Sequence, residues 1–149
     1  AIALPPGYSF TSGRGAVLTE GTDAVLFAYG PVMLHEALLA ADILKEADFK
    51  LKVVNMPWLN RVDPKWLGDI LGSCERVCVC DDHSPFGGLG DTILNALAAS
   101  GFLGGRGFKK FAVEGYPACG TPQEVLRYHG LDGASLARRL QLECDRRGA

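Results

Sequence analysis

The chain has no excess of charge of one sign, no long apolar run and no paired cysteines, and each absence removes a class of function. Fifteen Lys and Arg stand against seventeen Asp and Glu, for a formal net charge of -2 and a pI near 5.9. Bulk electrostatics therefore supplies no pull toward nucleic acid or an anionic membrane. No apolar stretch reaches the ~20 residues of a membrane span, and no signal peptide is visible. The five cysteines, Cys74, Cys78, Cys80, Cys119 and Cys144, are odd in number and lack the C-x-x-C spacing of zinc sites. That pattern points to a reducing, cytoplasmic setting. A serine nucleophile elbow, a Walker A loop and an H-E-x-x-H pair are also missing.

What remains is a chain of 149 residues with 48% apolar content, enough for one domain with its own core. Residues 1–15, with Pro5, Pro6, Gly7, Gly13 and Gly15, have no periodicity and read as a linker from a preceding domain or a trimmed end. A short strand over Ala16–Thr19 and an apolar run from Ala24 to Tyr29 flank the turn at 20–23, which reads as a hairpin. Val32 to Ala47 repeats apolar residues at helical spacing, with Leu34, Leu38, Ala41 and Leu44 on one stripe and His35, Glu36, Asp42, Lys45 and Glu46 mostly outside it. A strand from Leu51 to Met56 precedes a helix that Asp63 caps and Pro64 opens, running through Leu71.

Arg76 to Cys80 is apolar enough for a sheet interior, and Cys78 and Cys80, two apart, share one face as small core side chains. A helix from Leu89 to about Ser100, a strand over Lys110–Glu114 and a capped helix from Thr121-Pro122-Gln123-Glu124 to Gly130 follow. Asp132 caps a last helix, Ala134 to roughly Asp145, with Leu136, Leu140 and Leu142 as its apolar content. Strands alternating with helices predict a doubly wound α/β domain, three layers deep, whose ligands would sit beyond the carboxyl ends of the strands.

Residues 81–91, Asp81-Asp82-His83-Ser84-Pro85-Phe86-Gly87-Gly88-Leu89-Gly90-Asp91, join a buried strand to a helix and hold the densest chemistry. The Gly87 to Gly90 helix start offers backbone N–H groups and a positive dipole end to an anion, while Asp91 in the first turn can complement the same dipole. Gly88-Leu89-Gly90 departs from the dinucleotide fingerprint, since Ile93 stands where a third small residue is needed. His83 reads either as a general base whose tautomer Asp82 or Asp81 holds, or as a residue hydrogen-bonded locally or at an interface. Gly30, Asp82, His83, Gly87, Gly88 and Gly90 together make the candidate anion crevice. His35 and His129 read as structural, and Trp58, Trp66 and Tyr116 as loop anchors or pocket walls. Arg138, Arg139, Arg146 and Arg147 read as solvated cations suited to a helix carboxyl end.

Taken together, the segments resemble the carboxyl-terminal domain of the transketolase family of thiamine-diphosphate enzymes, over about residues 9 to 142. Ser9 to Gly21 is similar to the entry into that domain, and Phe27-Ala28-Tyr29-Gly30 with Ala37, Ala40, Ala41 and Leu44 to its first buried strand and helix. Asp81-Asp82-His83 with Gly87-Gly88-Leu89-Gly90 is similar to its acidic-His and Gly-Gly-x-Gly signature. Gly115, Gly120, Glu124-Val125-Leu126 and Gly130-Leu131-Asp132 follow its closing pattern. Arg61 departs from it, standing where the family often has proline.

The resemblance implies a five-stranded mixed sheet over 16–149, with the first strand antiparallel beside the third and the second next to the fourth, in place of the hairpin. It also implies that Gly30-Pro31 and the Asp81 to Gly90 loop face one crevice. In the family, thiamine diphosphate and a divalent metal lie between the preceding pyrimidine- and diphosphate-binding domains, on a Gly-Asp-Gly motif with a downstream Asn and a catalytic glutamate. Here Gly68-Asp69 and Gly90-Asp91 are followed by Ile70 and Thr92, so no catalytic, cofactor-binding or metal residue carries over. The implied role is packing and homodimer assembly within an enzyme that transfers a two-carbon ketol unit between sugar phosphates. Two other readings stay open: a small anion- or nucleotide-binding regulatory module, and a scaffold that binds an acyltransferase core as dehydrogenase beta subunits do.

Overall fold

In a computed structural model describing residues 2–145, five strands form one mixed sheet: β1 (Ala16–Thr19), β2 (Ala24–Ala28), β3 (Leu51–Asn55), β4 (Arg76–Cys80) and β5 (Gly107–Phe111). Their spatial order is β1-β3-β2-β4-β5. β1 runs antiparallel to β3, and all other pairs are parallel. The family resemblance implied this order, whereas spacing alone suggested a hairpin over 16–29. The β1–β3 register slips between Val17 and Thr19. Thr19 Oγ1 fills the slip, accepting from Val53 N–H at 2.9 Å and donating to the Leu51 carbonyl at 2.8 Å.

Alternation along each strand divides the interior in two. Leu26, Ala28, Val53, Cys78 and Cys80 face a core closed by α1 (Gly30–Glu46) and α5 (Gly133–Asp145). Val25, Phe27, Val54, Val77 and Val79 face a second core closed by α2 (Pro64–Leu71) and α3 (Leu89–Ala99). Each fully buried Leu or Phe on these faces contributes about 1.5–3 kcal/mol. Cys78 and Cys80 are buried on one face, and burial pushes the Cys80 thiol up to about 12.

The helix ends form where the sequence placed their caps. Asp63 accepts the N–H groups of Lys65 and Trp66 ahead of Pro64 in α2. Thr121 and Glu124 make a reciprocal capping box for α4 (Pro122–His129), which Gly130 ends at φ 67°. Three expectations need correction. β5 begins at Gly107 and ends at Phe111 instead of spanning 110–114, since an edge strand tolerates Gly107 and Lys109, which an apolar-run criterion leaves out. Glu36 is buried, because α5 packs over the flank of α1 that periodicity assigned to solvent, and its carboxylate accepts Gly133 N–H at 2.6 Å. Leu142 is half-exposed and adds little to the core.

Residues 2–15, before β1, form no helix or strand, but they are fastened to the β3–α2 loop. Gly13 accepts from Asp63 N–H at 2.9 Å, Arg14 pairs with Asp63 at 2.7 Å, and Arg61 donates to Ser12. Tyr8 and Phe10 stack edge-on toward Trp58.

Candidate functional site

The connection from β2 leaves toward β3 on one side and the connection from β4 leaves toward β5 on the other, so the topological switch lies between β2 and β4. The loops that meet there are Tyr29-Gly30 and Asp81 to Gly88. Gly30 and Gly87 turn the chain with φ of 66° and 79°, a region side chains resist. Tyr29 donates its hydroxyl to Asp82 at 3.0 Å, tying the two walls together. Burial, then that hydrogen bond, then the negative charges of Asp81 and Asp82 raise the Tyr29 phenol above its ordinary range, so it stays a donor at neutral pH.

Asp81 is buried at the end of β4 and accepts the N–H groups of Leu89 and Gly90, each at 3.0 Å. It therefore takes the donors at the start of α3 that the anion reading reserves for a ligand. Gly88 is tight for a related reason: a Cβ there would lie 2.6 Å from His83 Nε2 and 2.7 Å from Asp81 Oδ1. His83 Nε2 itself is 3.8 Å from Asp81, an electrostatic separation beyond hydrogen-bond reach.

The rim closes through Asp91 and Lys110. Asp91 accepts Gly87 N–H at 2.6 Å and Lys110 Nζ at 2.7 Å. Lys110 also donates to the Pro85 carbonyl and lies over the Phe86 ring. The Lys110 bond, then the Gly87 bond, hold the Asp91 carboxyl below its usual range. The structure thus brings Tyr29, Asp81, Asp82, His83, Gly88 and Gly90 to one place. Tyr29, just after β2, and Lys110, on the edge strand, are neighbours of the candidate site that sequence reasoning missed. The tyrosine directly before Gly30-Pro31 is the available signal.

The other expected residues lie elsewhere. Trp66 stacks on Phe27, Tyr116 is almost fully exposed, and His35 is exposed on α1. His129 accepts Ala118 N–H at 3.1 Å. Arg138 is exposed, Arg139 is drawn inward, and Arg146 and Arg147 lie outside the described residues. Among the described residues no three His, Cys, Asp or Glu side chains are placed to hold a metal ion. No helix among them is long and apolar enough to cross a membrane.

The family model described as "Transketolase, C-terminal domain" matches residues 13–136. A putative transketolase C-terminal section of Methanocaldococcus jannaschii is 33% identical over 91% of this chain and 41% of its own length. A transketolase of Homo sapiens is 28% identical over 95% of this chain and 22% of its own. A solved chain described as a split gene transketolase, inactive beta4 tetramer, superposes with a TM-score of 0.79 at 29% identity, covering 95% of this chain and 46% of that one. The chain therefore spans less than half the length of these relatives. A five-stranded sheet with an antiparallel first strand, a family match from Gly13 to Leu136 and the Asp81-Asp82-His83 and Gly87 to Gly90 turn at its switch point agree: the chain belongs to the transketolase carboxyl-terminal domain family.

Proposed function

We propose that this chain serves as the assembly domain of a transketolase-like enzyme, packing against preceding pyrimidine- and diphosphate-binding domains, or the subunit that carries them, within a homodimer. The complete enzyme transfers a two-carbon ketol unit between sugar phosphates. Thiamine diphosphate with its divalent metal, held by the preceding domains, supplies the carbanion chemistry. Asp81 takes the N–H groups of Leu89 and Gly90 at the start of α3, which supports a cofactor held by the other domains and not at this helix start.

One observation carries the reading. At the carboxyl end of the sheet the charged groups turn on one another, Asp81 to α3, Asp82 to Tyr29 and Asp91 to Lys110. The surrounding loops meanwhile present Phe86 at 78% and Tyr116 at 95% exposure, and Phe10 of the adjoining segment is 72% exposed. Aromatic side chains left outward around an internally satisfied polar centre suit a protein interface better than an active site. The occupant is the remainder of the enzyme, in keeping with a chain that covers 13–46% of the lengths of relatives and neighbours in this family.

The test mixes this chain with the separately produced remainder of the enzyme. Ketol transfer and a larger sedimenting species should appear on mixing, with thiamine diphosphate bound only when the remainder is present. Tight, magnesium-dependent thiamine diphosphate binding by this chain alone, or failure to associate, overturns the proposal.

A further inference from the structure

A second cavity lies one strand beyond the switch point, outside the carboxyl end of β5, and its chemistry is independent of the assembly role. It is open to solvent and has a volume of about 430 Å³, within the range of small-molecule sites. α4 contributes Arg127, Tyr128 and His129 to its lining, α5 contributes Ser135, Arg138 and Arg139, and the chain after β5 contributes Glu114. Three guanidinium groups thus face one carboxylate.

The groups differ in how firmly they are set. Arg139 is half-buried, donates Nη1 to the carbonyls of Gly130 at 3.0 Å and His129 at 3.4 Å, and lies 4.7 Å from the Phe111 ring centre. Those contacts orient the plane of the guanidinium before any ligand arrives. Arg127 and Arg138 are more open to solvent. No carboxylate pairs with any of the three at ion-pair distance among the described residues, although Arg127 feels Glu124 and Asp132 at longer range. The Ala118 N–H donates to His129 Nε2 at 3.1 Å, which holds the ring in place. Tyr128, 74% exposed, meets the His129 ring edge-on at 5.0 Å.

We infer that this cavity binds a phosphate monoester. A dianion with three equivalent oxygens matches several planar guanidiniums better than a carboxylate does. The exposed Tyr128 ring gives a surface on which the esterified group can lie.

The test follows backbone amide shifts of residues 112–114 and 127–139 while inorganic phosphate, a sugar phosphate and a nucleoside monophosphate are added separately to the full chain. Saturable shifts confined to those amides are expected, with at least one ester binding more tightly than inorganic phosphate. The preferred ester tells a sugar source from a nucleotide one. Arg127→Ala and Arg138→Ala, both on solvent-facing parts of their helices, should keep the fold and each weaken binding roughly tenfold or more. Arg61→Ala, on the β3–α2 loop, should not. No saturable shift, the same shifts with chloride, binding of the unphosphorylated nucleoside alone, or affinity untouched by both arginine variants overturns the inference.

Discussion

Asp81 Oδ2 accepts the backbone N–H of Gly90 at 3.0 Å, and a Cβ on Gly90 would sit 2.9 Å from that same oxygen. The carboxylate and the glycine thus require each other: the close approach makes the bond, and only a residue without a side chain permits it. A helix start that looks open in sequence is closed by the residue that ends the preceding strand. Replacing Asp81 with alanine leaves two N–H groups unpaired beside a buried cavity, which costs about 2–4 kcal/mol. Asp81→Asn keeps one acceptor oxygen and should lose less. Urea denaturation of the three proteins checks the order, and equal stability of Asp81→Ala and the parent chain contradicts it.

The packing of α5 on α1 depends on a second such pair. Gly133 donates to the buried Glu36 at 2.6 Å, and a Cβ on Gly133 would lie 2.6 Å from Leu39 Cβ and 3.1 Å from the Glu36 carbonyl. Gly133→Ala forces the helices apart and should destabilise by about 1–3 kcal/mol. Glu36→Ala orphans the donor for a similar loss. Because both substitutions damage one contact, the double variant should lose less than the sum of the two, as read from unfolding midpoints in a double-mutant cycle. Strict additivity would mean that the contact does not couple them.

Local chemistry makes much of this legible in the sequence itself. Asp63-Pro64, the Thr121 to Glu124 box and Gly130 are signals carried by a few adjacent residues, and each marks the helix end where the structure has it. The residues misread are those whose partners lie far along the chain. Glu36 is 97 positions from Gly133, and nothing within its own helix marks it as buried. Lys110 reads only as the start of a strand, because its partners, Asp91 and the Pro85 carbonyl, lie 19 and 25 positions back along the chain. The antiparallel β1 comes from family resemblance alone, since two apolar runs about a four-residue turn also describe a hairpin. At the switch point the glycines are visible as turn formers. That Asp81 fills their donors is not, because an acidic residue after a strand serves equally as a cap, a base partner or a ligand.

Acid should loosen the turn at Asp91 in a defined direction. Lys110, then Gly87, hold the Asp91 carboxyl below its usual value of 3.8, so the folded chain binds this proton less readily than the unfolded one. The stabilisation is therefore complete above about pH 5, shrinks as the unfolded carboxyl protonates first, and is gone once pH has fallen through the folded value as well. Asp63 behaves alike through Trp66 N–H and Arg14, as does the exposed Glu124 through Thr121, and water screens all three carboxylates. Asp91→Asn isolates the first contribution. Its stability deficit against the parent chain, followed by urea denaturation across a pH series, should be largest near neutrality and close as pH falls below the usual carboxylate range. Lys110→Met removes the partner, so in that background the Asp91→Asn substitution should cost less at every pH. A deficit that stays constant down to the lowest pH would show that Asp91 acts through shape and not through its charge.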